Sequence, residues 1–147
     1  MVFMTRLKAD KPSAGPLTQG LAPADIPWQR DERGYYHRLL RLRPRDAGLF
    51  GTGGVYVIWH RGVRPRWIYI GASKDLGEAI DRARDSEAVL GYEAFGGVYV
   101  TWAPVRQEFR DGVVAYLRAS LEPELDLVFA SDSLDLTAAH IPVQPPA

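Results

Sequence analysis

The side chains best suited to chemistry in this chain are arginines set among aromatic rings. Between residues 28 and 48, Trp28, Tyr35, Tyr36, Leu39, Leu40 and Leu42 alternate with Arg30, Arg33, Arg38, Arg41, Arg43 and Arg45. A second basic stretch follows at Arg61, Arg64 and Arg66. Guanidinium groups neutralise phosphates and rings stack on bases, so this pattern suits single-stranded nucleic acid. The plainer explanation is a solvated arginine surface over a buried aromatic face. Candidate nucleic-acid contacts are Lys74, Arg41, Arg43, Arg45, Arg64 and Arg66.

Other constellations are sparse. The chain has no cysteine, which excludes disulfides, thiol catalysis and cysteine-bound zinc or iron–sulfur sites. His37, His60 and His140 are too scattered to suggest a metal site by spacing, and Ser73 has no histidine close by in sequence. Structural or solvent-exposed roles are expected for all four.

Length and composition place these groups in one ordinary globular unit. The chain has 147 residues, 46% hydrophobic and 24% charged. Its formal net charge is zero, but the halves differ. Residues 1–66 hold 12 Lys and Arg against 5 Asp and Glu, and residues 67–147 hold 6 against 13. That asymmetry suits either a basic face for an anionic partner or halves that neutralise each other once folded. No apolar run approaches the roughly 18 residues of a membrane span, and Met1 to Gly20 has no signal core. A cytoplasmic protein without membrane insertion is expected.

Two β-rich runs stand at the centre, Val55-Tyr56-Val57-Ile58-Trp59 and Trp67-Ile68-Tyr69-Ile70. They predict strands over 54–59 and 66–71, joined by a hairpin in which Gly62 supplies any positive φ. Gly48 to Gly54 lacks the Gly-Lys-Ser/Thr ending of a phosphate loop, so its glycines are expected in turns. Asp75 and Glu78 have capping-box spacing, and Leu76, Ile80 and Ala83 recur as a buried helical stripe. A weaker helix or turn follows at 86–94, a third strand over 98–102, and a helix over 106–121 that Pro123 stops. Residues 33–43 suit a short helix or an extended segment, and 125–129 a short strand or packed tail segment.

The expected fold is α+β: a small, mainly antiparallel three-stranded sheet flanked by helices, with extended N- and C-terminal arms. The divisions read as an extended Pro/Arg-rich arm over 1–48, a domain over 49–130 and an extended tail over 131–147.

The paired tripeptides Gly54-Val55-Tyr56 and Tyr69-Ile70-Gly71, followed by Ser73-x-Asp75-Leu76 before a helix, resemble the GIY-YIG nuclease domain. The resemblance covers residues 53–126 and includes the run Leu117 to Pro123. It implies that Tyr56 would activate or orient an attacking water and that Tyr69 would lie beside the scissile phosphate. It also implies a phosphate-binding arginine eight residues beyond Gly71 and a metal-binding glutamate nine residues before Pro123. Those positions are Ala79 and Val114, and the family's asparagine after the proline corresponds to Asp126. A transferring phosphoryl group needs cations against its developing charge, and neither alanine nor valine supplies or holds one.

Neighbouring turns offer substitutes. Arg82 lies three residues after Ala79, Asp111 three before Val114, and Glu108 further back. Tyr56, Tyr69 and Arg82 are therefore the catalytic candidates of an active enzyme, with Asp111 and Glu108 the only metal candidates.

The leading expectation is a catalytically inactive GIY-YIG-like binding or structural module. It would join a larger protein assembly through its surfaces and arms, as an accessory subunit without cofactor. The alternatives are a metal-dependent endonuclease acting on DNA with Mg²⁺ or Mn²⁺, and a nucleic-acid-binding protein that does not cleave.

Overall fold

A computed structural model describes residues 23–62, 66–126 and 134–147. It contains strands β1 (His37–Arg38), β2 (Gly54–His60), β3 (Arg66–Ser73) and β4 (Val98–Pro104). Its helices are α1 (Leu76–Arg84), α2 (Glu87–Leu90) and α3 (Gln107–Leu121). The sheet has four strands in the order β1-β4-β2-β3, every pair antiparallel. The three-stranded expectation is thus corrected. The extra strand is β1, where His37 faces Val100 and Arg38 faces Tyr99. Residues 33–43 form turns around this strand, with no helix.

β2 is central and both of its faces are covered, which is why it reads as an unbroken apolar run. Tyr56 and Ile58 point into a core with Leu76, Ala79, Ile80 and Ala83 of α1, Val89 of α2 and the preceding Leu39, Leu42 and Leu49. Val55 and Val57 point into a second core with Val113, Val114 and Leu117 of α3. Each such fully buried side chain is worth about 1.5–3 kcal/mol. The β2–β3 register slips between Ile58 and Trp59, so Ile58 faces Tyr69 while Trp59 faces Trp67. Ile68 is the residue passed over, and the slip lets it join Tyr69 in the α1 core.

The helix ends follow their side chains. Asp75 Oδ1 accepts from Glu78 N (3.1 Å) and caps α1, while Ser73 Oγ accepts from Asp75 N (3.0 Å). α3 ends on Glu122 in the left-handed region (φ 50°, ψ 66°), just before Pro123. The positive-φ glycines of the turns include Gly48, Gly51, Gly96 and Gly97, but not Gly62. A Cβ at Gly62 would instead stand 3.0 Å from the Phe95 carbonyl oxygen.

Residues 24–28 and the C-terminal tail meet over α3, whereas residues 37–42 join the sheet and the α1 core. Ala24 pairs with Val143, Trp28 Nε1 donates to the Gln144 carbonyl (2.7 Å), and Val143 is buried. Gly112 makes this possible: a Cβ there would come within 2.5 Å of the Ala139 carbonyl oxygen and 2.8 Å of the Ile141 side chain.

The outer edge of β3 is also occupied. Arg118 Nε and Nη2 donate to the Ile70 carbonyl (2.9 and 2.7 Å). Glu124 N donates to Trp67 O (3.0 Å) and Leu125 N to Ile68 O (2.9 Å). The proposed segment 125–129 lies outside the described residues beyond Asp126, and the arm before Pro23 lies outside them altogether. Among the described residues no helix is long and apolar enough to cross a membrane.

Candidate functional site

Tyr56 and Tyr69 sit on adjacent strands with ring centroids 5.9 Å apart, and neither has exposed surface. Ala79 and Val114, at the positions where the resemblance implies an arginine and a glutamate, are also fully buried. Ala79 packs in the α1 core beside both tyrosines, and Val114 in the α3 core. The Arg118 Cζ lies 5.1 Å from the Tyr69 ring centroid. It is tied to the β3 backbone, an arrangement of packing and edge closure.

The substitutes on neighbouring turns converge elsewhere. Where β3 ends and α3 begins, a cleft of ≈ 590 Å³ is lined by Lys74, Glu78, Arg82, Glu108, Arg110 and Asp111, among others. Arg82 spends one nitrogen on Glu78 Oε1 (2.9 Å), and Arg110 Nε donates to the Val105 carbonyl (2.7 Å). Burial lowers the basicity of Arg110, and Glu108 partly offsets that. Acids and bases alternate around this cleft. Among the described residues, no three His, Asp or Glu side chains come together to hold a metal ion. Asp111 and Glu108 are thus joined by no third such side chain among the described residues.

The opposite end of the sheet is different in kind. There β2 ends at His60, β3 begins at Arg66 and β4 begins at Val98, all in one register. Strand pairing thus brings the Arg30–Arg41 stretch beside Arg61 and Arg66. They line an open groove of ≈ 760 Å³ with six arginines, numbers 30, 33, 38, 41, 61 and 66, against one side-chain carboxylate, Asp31, and Ala147, whose main-chain oxygen accepts from Arg30 at 3.5 Å. Its rings are Tyr35, Tyr36, Trp59, Trp67 and Tyr99. Trp59 is the hub, with centroids 5.8 Å from Trp67, 6.1 Å from Tyr99 and 5.0 Å from Tyr36.

Guanidinium groups sit against these rings. Arg30 Cζ lies 4.3 Å from the Tyr36 centroid, and Arg61 and Arg38 lie 5.3 and 5.5 Å from that of Tyr99. Two arginines are matched by acids from the other half of the sequence: Arg38 by Glu93, and Arg66 by Glu124 at 2.7 Å. The Glu124 hydrogen bond raises the Arg66 pKa further. Some charge of the basic half is thus neutralised by the acidic half, and some faces the groove.

Asp31 is committed to its own turn. Its Oδ1 accepts from Arg33 N and Tyr35 N, both at 2.9 Å, and Gly34 supplies the positive φ of 86° that closes the loop. The Tyr35 hydrogen bond leads in holding the Asp31 carboxyl below its ordinary value. The turn carries Tyr35 outward at 64% exposure, the most exposed of the large hydrophobics.

Of the candidate nucleic-acid contacts, Arg41 and Arg66 line this groove and Lys74 lies in the opposite cleft. Arg43 is exposed but lines neither, and Arg45 stands 5.4 Å from the Phe50 ring. Arg64 lies outside the described residues. The three histidines serve three separate ring contacts: His37 with Trp102, His60 with Tyr92, and His140 with Tyr116. Sequence reasoning missed the contributions of Trp59, Trp67 and Tyr99, whose alternation signals only which face they share.

Comparison with family models, with curated proteins and with solved structures gave no match.

Proposed function

We propose that this chain is a non-catalytic binding module of GIY-YIG-like build. The observation that carries the reading is the complete burial of Tyr56, Tyr69, Ala79 and Val114. A phenol that activates water at a phosphate must meet both, and a sealed ring meets neither. The resemblance supplies a framework whose reacting positions have been taken over by core packing. Residues 24–28 and the C-terminal tail are spent on this chain's own α3 core, so the surface offered to a partner in an assembly is the arginine groove.

The competing reading, a nuclease with a relocated site, draws on the cleft that gathers Lys74, Arg82, Glu108 and Asp111. One experiment separates the two. The full chain is incubated with single-stranded, duplex and branched DNA in Mg²⁺ and in Mn²⁺. No cleavage is expected. Metal-dependent product that disappears in Tyr56→Phe or Arg82→Ala would overturn the non-catalytic reading.

A further inference from the structure

Taking the chain as a binding module, we infer that its ligand is single-stranded nucleic acid, held in the groove between the Asp31–Tyr35 turn and the β2–β3–β4 ends. Charge selects a polyanion, because six arginines face one side-chain carboxylate that its own turn already uses. With Arg38 and Arg66 paired to glutamates, and Arg30 bonded to the Gly34 carbonyl and the Tyr36 hydroxyl, the arginines left for phosphates are Arg33, Arg41 and Arg61.

The rings then choose among polyanions. An acidic peptide offers carboxylates but no flat faces. A duplex offers phosphates but keeps its bases stacked inside. A single strand offers both, and unstacked bases pack on aromatic rings and on guanidinium planes. Tyr35 provides an exposed ring on a braced turn, and the Arg61–Tyr99 stack continues the flat surface across the sheet. The groove shares no lining residue with the cleft at the other end of the sheet, so this surface is separate from the positions the nuclease resemblance picks out.

The test is fluorescence anisotropy of short labelled single strands, DNA and RNA, with the full chain across a salt series. Binding is expected to weaken with salt at a log–log slope of about −2, the value for three phosphates at about −0.7 each. Arg33→Ala, Arg41→Ala and Arg61→Ala should each flatten the slope by about 0.7. Tyr35→Ala should weaken binding on the order of tenfold at unchanged slope, through lost stacking. Arg106→Ala, at an exposed arginine that lines neither groove nor cleft, should change neither, and thermal melts check that each variant is folded.

The inference is overturned by any of three results: no binding at low salt, equal or tighter binding of duplex or polyglutamate, or loss on Arg106→Ala with none on Arg41→Ala. If the groove variants lose binding but the bound strand is cut in Mg²⁺, the inference stands and the non-catalytic reading alone falls.

Discussion

Tyr56 and Tyr69 stand diagonally across β2 and β3 with 5.9 Å between ring centres and no solvent-exposed surface on either. The pair is a core contact linking the sheet to α1, whatever chemistry such phenols perform in other proteins. Tyr56→Ala should therefore cost about 3–5 kcal/mol of folding stability, as large aromatic truncations in cores do. Urea denaturation of the variant measures it. A loss below about 1 kcal/mol would mean that the ring is not packed as described.

Gly112 stands inside a helix, where alanine would ordinarily gain up to about 1 kcal/mol in propensity. Here the gain should be reversed. The Ala139 carbonyl and the Ile141 side chain occupy the space of a Cβ, so Gly112→Ala should destabilise by about 1–3 kcal/mol through overpacking. Limited proteolysis should show the segment around Ile141 cut sooner than in the native chain. A more stable variant with an unchanged digestion pattern would refute the close approach.

Glu122 ends α3 at φ 50°, in the left-handed region where a Cβ is strained. Glu122→Gly should relieve that strain and stabilise by about 0.5–1 kcal/mol, less what glycine adds to unfolded-chain entropy. A shift of the urea midpoint to higher concentration at constant m-value is the expected readout.

Asp31 makes the Tyr35 turn sensitive to acid. Its folded-state pKa is depressed, chiefly by the Tyr35 amide. Its contribution is therefore present above the unfolded value and lost as pH falls through the lower folded one. The turn should stay closed at neutral pH and open only below the ordinary value of 3.8. Amide chemical shifts of Arg33 and Tyr35 followed through an acid titration test this. Asp31→Ala should abolish the transition and loosen Tyr35 at every pH.

Local patterns in the sequence were sufficient for elements whose causes are local. The apolar β-rich run of Val55 to Trp59, the cap at Asp75 and the stop at Pro123 each act within a few residues, and β2, α1 and α3 lie where those signals point. β1 was not legible, because two residues, His37 and Arg38, show no period of two and become a strand only through β4 sixty residues away. The groove was half legible. Both arginine stretches stand out in the sequence, but what joins them is the register that aligns His60, Arg66 and Val98. The docking of the arms was hidden in Gly112, a residue that reads as a weak point of a helix until its neighbour is seen.

The way Arg118, Glu124 and Leu125 take up the carbonyls of β3 bears on how copies of this chain meet. Exposed strand borders invite neighbouring chains to continue a sheet and grow fibrils. Here one border is stoppered from within, and the other is a strand of only two residues. Self-association through main-chain ladders is therefore discouraged at both sides of the sheet, and a chain lacking Arg118 should be the one that polymerises on storage.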